Sequence, residues 1–158
     1  MLEFRIRDLE SMAALGLALA ACLREDPSLR CILLHGALGS GKTTLTRFLA
    51  QALPGGDRAE IASPSFTLCN VYPTAPPLCH WDLYRADCAV PDEIGEILDA
   101  GAAAVVVEWA EYLPSYWLPQ DFLDIYLQIC DDYRIVRIEI HSPHSARLAY
   151  LLRAAQSS

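Results

Sequence analysis

The sequence predicts a three-layer α/β domain, and three observations predict it. Arg30-Cys31-Ile32-Leu33-Leu34-His35 is a continuous apolar run of strand length, as a strand buried on both faces requires. A glycine-rich loop follows it at once, and a helical pattern follows the loop. A second run, Ala102 to Glu108, repeats the buried-strand signature and ends in a carboxylate. Buried strands separated by helices read as a sheet with helices packed on both sides.

The elements follow in chain order. Leu2 to Arg7 alternates apolar with charged residues and predicts a half-buried strand. Asp8 or Ser11 caps an alanine-rich helix running to about Arg24. Asp26-Pro27-Ser28 is a turn, and the buried strand over 30–35 comes next. Lys42 to Leu53 carries Leu45, Phe48, Leu49 and Ala52 at helical spacing, and Pro54-Gly55-Gly56-Asp57 stops that helix. Phe66 to Tyr72 and Leu78 to Leu83 read as two strands joined by a proline-rich link. Asp92 to Ala100 is a short helix. Phe122 to Ile129 and Arg134 to Ile140 read as strands, with Asp131-Asp132 as the hairpin turn between them. Ser142 and Pro143 should open the last helix as N-cap and first helical residue.

Composition narrows the function classes. The chain has 158 residues, 53% of them hydrophobic, which suits one folded domain spanning 1–158. Its formal net charge is −8, a poor match to a phosphate backbone, so autonomous nucleic-acid binding is not expected. The six cysteines form no C-x-x-C pair and read as reduced thiols, with Cys31 and Cys130 as core residues. Met12 to Cys22 imitates a short export signal. However, Glu3, Asp8 and Glu10 precede it where a signal carries net positive charge. It reads as a core helix of a cytoplasmic protein, and no membrane span is expected.

The chain has one lysine, and it lies in Gly36-Ala37-Leu38-Gly39-Ser40-Gly41-Lys42-Thr43, the phosphate-loop pattern G-x4-G-K-[ST]. The pattern has meaning only between a strand and a helix, and both flanks are present. Gly39, Ser40, Gly41, Lys42, Thr43 and Thr44 are therefore the expected nucleotide-binding residues. The glycines let backbone N–H groups surround phosphate oxygens, and the helix N-terminus adds partial positive charge. Lys42 is expected at the β- and γ-phosphates and the Thr43 hydroxyl on Mg²⁺. The predicted class is thus a P-loop NTPase-like domain, its central sheet largely parallel with an antiparallel late strand pair.

Hydrolysis needs a carboxylate beside the metal and a group that places water. Glu108 ends a buried strand in the position of the second nucleotide-motif acid, and Asp82 lies in His80-Trp81-Asp82-Leu83-Tyr84-Arg85. A carboxylate at a buried strand end is costly unless paired or metal-bound. The alternatives are a solvent-facing strand end for Glu108 and a structural salt bridge to Arg85 for Asp82.

Together the segments resemble the TsaE (YjeE) family of small P-loop ATPases, over most of the chain. The resemblance rests on four segments in order: Gly36 to Thr44, Ser63-Pro64-Ser65-Phe66-Thr67-Leu68, His80 to Arg85, and Val107-Glu108-Trp109. Ser65, Trp81, Ala110 and Met12 depart from the family's usual residues without removing a carboxylate or the lysine. The resemblance implies ATP and Mg²⁺ as cofactors and a place in making threonylcarbamoyladenosine in tRNA. It implies that hydrolysis supports turnover of a TsaD–TsaB pair, with tRNA reached only through that complex. It also assigns Thr43, Glu108 and Asp82 to the metal, and Lys42, Asp82 and Glu108 to catalysis. The Ser63 to Thr67 loop becomes a nucleotide-sensing switch. Arg134 would reach the nucleotide, the alternative being a solvated strand arginine. Trp109 would be a partner or switch contact, the alternative being a core tryptophan.

Three other functions are open to a phosphate loop. A small-molecule kinase would share the loop but need an acceptor pocket and arginines over the phosphates. A GTP switch is disfavoured, because its Asn-Lys-x-Asp motif needs a second lysine. A non-hydrolysing binding module would have no use for the two acids.

Overall fold

The computed structural model describes residues 1–58, 68–85 and 90–156. The Ser63 to Thr67 loop and Cys88 lie outside the described residues. The strands are β1 (Leu2–Ile6), β2 (Cys31–His35), β3 (Cys69–Tyr72), β4 (Leu78–Asp82), β5 (Ala104–Glu108), β6 (Phe122–Ile129) and β7 (Arg134–His141). The helices are α1 (Leu9–Glu25), α2 (Lys42–Ala52), α3 (Glu93–Ala100) and α4 (Ser145–Arg153).

All seven strands join one sheet in the order β1-β7-β6-β2-β5-β4-β3. The central strands β6, β2, β5 and β4 run parallel. β7 pairs antiparallel with β6, as the late strand pair predicts, while β1 and β3 close the two edges antiparallel. The predicted three-layer class is the observed one.

Side-chain alternation along the central strands builds two cores. Ile32, Leu34, Ala104, Val106, Leu123 and Ile125 point to one face, where α1, α2 and α4 cover them with Leu15, Leu19, Leu45, Leu49 and Leu148. Cys31, Leu33, Val105, Val107, Cys79 and Trp81 point to the other face, against Ile94 and Leu98 of α3. Within Met12 to Cys22, the stretch that imitates a signal, Met12, Leu15, Ala18, Leu19, Ala20 and Cys22 are buried in the first core. No helix among the described residues is long and apolar enough to cross a membrane.

Local chemistry sets the ends. Asp8 accepts from the Ser11 amide at 2.8 Å while Ser11 Oγ accepts from the Asp8 amide at 3.2 Å, so both predicted caps of α1 act together. The opening of α4 differs from expectation. Ser142 and Pro143 form a turn in which Ser142 Oγ accepts from the His144 amide at 3.0 Å, and the helix begins only at Ser145. The serine's acceptor is spent in that turn, two residues before the observed N-cap His144. Cys130 is only half-buried and belongs to neither core, because β6 runs out of cover at its exposed last residues Gln128 and Ile129.

Gly16 sets the approach of α1 to α2. A Cβ there would lie 2.6 Å from Phe48 Cβ and 2.9 Å from the Leu49 amide nitrogen. Gly16→Ala should therefore destabilise the fold by about 1–3 kcal/mol, even though alanine favours helix by roughly 1 kcal/mol. Urea unfolding of both proteins checks this, and an unchanged or raised midpoint would refute the close approach. Burial pushes the Cys22 thiol up to about 12, with Glu25 and Asp26 adding to the effect, and burial with Asp124 does the same for Cys31. Both should resist alkylation at pH 8 in the native protein and react on unfolding, as mass spectrometry would record.

Candidate functional site

The carboxyl ends of β2, β5 and β4 carry the site. Parallel register places Leu34 of β2 and Asp82 of β4 beside Glu108 of β5. Ligand crevices form outside such ends, because the loops diverge there toward opposite faces. The phosphate loop leaves β2 at Gly36 and enters α2 at Lys42. Gly39 and Gly41 take φ of +77° and +109°, values an L side chain rarely adopts. A Cβ on Gly39 would meet nothing within 4 Å, so the loop crest opens on space. No side chain caps α2, which leaves its first-turn N–H groups directed at the loop's concave side.

Gly39, Gly41, Lys42, Thr43, Thr44, Asp82, Glu108 and Trp109 line one cleft. Ser40 does not line it. Its hydroxyl is buried beside Gly36 without a hydrogen-bond partner among the described residues, and its amide donates to the Ala37 carbonyl at 3.1 Å. Lys42 is buried, and its ammonium donates to the Gly36 and Ala37 carbonyls at 2.7 and 3.1 Å. The same nitrogen lies 4.2 Å from the centre of the Trp109 ring. Burial holds Lys42 below its ordinary pKa, against the opposite pull of Glu108, Asp82 and Glu111.

Both acids are almost fully enclosed, Asp82 at 3% and Glu108 at 3% exposure. Glu108 is therefore not a solvent-facing strand end. Thr43 Oγ1 donates to Glu108 Oε1 at 2.8 Å, joining the start of α2 to the end of β5. Asp82 Oδ1 accepts from the Tyr84 amide at 3.0 Å, which fixes the turn after β4. Thr43, Glu108 and Asp82 are hard oxygen donors, and with an adjoining ammonium and free helix N–H groups they fit Mg²⁺ and a polyphosphate.

Arg134 comes to the loop from β7. Its Nε donates to the Ser40 carbonyl at 3.0 Å and its Nη2 to the Gly39 carbonyl at 3.4 Å. It braces the loop backbone and lines a second hollow with Ile6, Asp8, Met12 and Thr44, apart from the two acids. Trp109 is a half-buried residue held at φ 58°, strained for so large a side chain, and its ring also packs 4.9 Å from that of Tyr84.

The sequence reading did not single out His80 as a site residue. Its Nε2 lies 2.7 Å from Glu108 Oε1 and its Nδ1 lies 3.2 Å from the Tyr72 hydroxyl. The signal was present in the alternation of β4, which sets His80 and Asp82 on one face. Its contact with Glu108 is a diagonal cross-strand one, since His80 pairs with Val106. His35, the last residue of β2, was also missed. Its Nε2 meets Asp124 Oδ1 at 2.8 Å and anchors the strand from which the loop departs.

Known proteins share this chain's sequence pattern and fold. Residues 6–137 match the family described as threonylcarbamoyl adenosine biosynthesis protein TsaE. The chain is 41% identical over 106 residues to the TsaE protein of Streptomyces coelicolor, covering 63% of this chain and 68% of the relative. It is 33% identical over 141 residues to that of Nostoc, covering 84% of this chain and 81% of the relative. The crystal structure of Bacillus subtilis YdiB superimposes with a TM-score of 0.71 at 27% identity, over 98% of this chain and 95% of that one. With a match over most of its length and the same architecture in a solved relative, the chain belongs to the TsaE family of threonylcarbamoyl adenosine biosynthesis proteins.

Proposed function

We propose that this chain is a Mg²⁺-dependent ATPase whose turnover supports threonylcarbamoyladenosine formation in tRNA. The observation that carries the reading is the 2.8 Å bond from Thr43 to Glu108, made inside a cleft that also holds the chain's one lysine. That bond uses the threonine's hydrogen and leaves its lone pairs for a metal. Bound magnesium would supply charge neutralisation at the phosphate oxygens.

The chain's own groups have distinct tasks in this reading. Lys42 exchanges the Gly36 and Ala37 carbonyls for phosphate oxygens and so brings its charge to the transferring group. The backbone N–H groups of Gly39, Gly41 and Thr44 cradle the phosphates, and that of Ser40 joins them by leaving the Ala37 carbonyl. Thr43 and Glu108 hold the metal, with Asp82 beside them to bind it or to orient water. Arg134 keeps the loop in its cradle shape through the carbonyls of Gly39 and Ser40. No arginine lines the cleft among the described residues, so hydrolysis by the isolated chain is slow.

Such a protein acts through partners. In this reading the complex that responds to its hydrolysis is a TsaD–TsaB pair. The net charge of −8 argues that tRNA is met inside that assembly and not by this chain alone.

ATP hydrolysis measured with and without TsaD–TsaB, alongside modified-tRNA yield, tests the proposal. Stimulation by the pair with coupled modification is expected. ATP consumption that instead requires a small-molecule acceptor would replace this reading with a kinase. Lys42→Ala should abolish hydrolysis and weaken nucleotide binding by about 100-fold or more, on the scale of lost charge-assisted contacts. Thr43→Ala and Glu108→Ala should lower the Mg²⁺-dependent rate by roughly 10²–10³ while sparing metal-free nucleotide binding. Unchanged rates in either would remove the metal assignment.

A further inference from the structure

His80 is 0% exposed in the middle of β4, in a neighbourhood otherwise made of the larger apolar core. An imidazole there is costly unless both ring nitrogens find partners. Both do. A carboxylate has no hydrogen to give, so Nε2 carries the hydrogen and donates to Glu108 Oε1 across 2.7 Å. Nδ1 then accepts from the Tyr72 hydroxyl at 3.2 Å. For a neutral ring the two contacts specify one tautomer and one ring orientation.

Glu108 Oε1 thus receives two donors from two different elements: His80 from β4 and Thr43, at 2.8 Å, from α2. Two converging donors set the rotation of the carboxyl group. Glu108 Oε2 takes no hydrogen bond among the described residues, and Glu108 lines the cleft. We propose that His80 is a positioning residue, whose Nε2–H, oriented by Tyr72, holds the Glu108 carboxylate so that Oε1 receives Thr43 and Oε2 serves the metal–nucleotide side of the cleft. The inference rests on the magnesium-dependent reading above and adds to it a residue that acts only through Glu108.

A histidine that merely filled space would be replaceable by any side chain of its volume. His80→Leu keeps the bulk and removes the donor, whereas His80→Gln places an amide N–H near the position of Nε2. Tyr72→Phe removes only the orienting hydroxyl. Each variant is compared with wild type and Glu108→Ala in thermal melting, in turnover against Mg²⁺ concentration, and in binding of a fluorescent ATP analogue with and without Mg²⁺. Ring ¹⁵N shifts of the wild-type histidines report the tautomer directly.

Loss of an orienting partner behind a metal ligand costs about 10–100-fold in metal affinity or activity. His80→Leu should show that loss in turnover and in the Mg²⁺ requirement, with metal-free nucleotide affinity within about twofold of wild type. His80→Gln should recover most of it, and Tyr72→Phe should fall between wild type and His80→Leu. The His80 ring should carry its hydrogen on Nε2. If His80→Leu keeps the wild-type Mg²⁺ dependence while Glu108→Ala loses it, His80 is a packing residue and the ATPase reading stands. Equal losses in the Leu and Gln variants, or a hydrogen on Nδ1, would also overturn the positioning role. Wild-type protein that binds nucleotide with no response to Mg²⁺ would sink both readings.

Discussion

The parallel register of β2, β5 and β4 is the constraint on which the cleft depends. In that register Glu108 stands beside Leu34 on one side and Asp82 on the other. A slip of one residue along β5 would turn Glu108 to the α3 face and present Val107 to Thr43. The register is held by the two cores at once, because Val105 and Val107 fill one while Ala104 and Val106 fill the other. The slipped pairing is costly because it would turn the Glu108 carboxylate into the apolar core under α3. The precision of the site is therefore a by-product of hydrophobic packing several residues upstream.

Charge balance within the cleft is the second consequence. An ammonium and two carboxylates are enclosed together, at several kcal/mol per ion if uncompensated. Each finds short-range partners: carbonyls and the Trp109 ring for Lys42, hydroxyl and imidazole donors for Glu108, a backbone amide for Asp82. Lys42 also lies in the field of Glu108, Asp82 and Glu111. A polyphosphate with a divalent cation is complementary to both signs, in keeping with the proposed nucleotide reading.

The brace on the loop comes from far along the chain. Arg134 reaches the Ser40 carbonyl only because β7 folds back beside β6, and β6 lies beside β2. Met12 approaches the same loop from α1, 3.1 Å from where a Gly41 Cβ would sit. The loop is thus clamped between the first helix and the late strand pair, although its motif spans eight residues. Bracing of this kind keeps the loop's carbonyls from collapsing inward and preserves the directions of its N–H groups.

How much was legible in the sequence differs from element to element, and the reason is the range of the physics. The buried strands at 31–35 and 104–108, the capped first helix and the phosphate loop were readable, because periodicity, capping and glycine spacing are local. The start of α4 was misplaced, because Ser142 satisfies a turn before it could satisfy a helix. By itself the sequence determined the chemical inventory: one lysine at the head of a helix, two acids at the ends of apolar runs, and a layered α/β class. Only the tertiary structure decided that Glu108 meets Thr43, that Arg134 braces the loop, and that a fully enclosed His80 stands behind the carboxylate. Those contacts join residues from separate strands and helices, and their distances follow from sheet order and register, which no local pattern encodes.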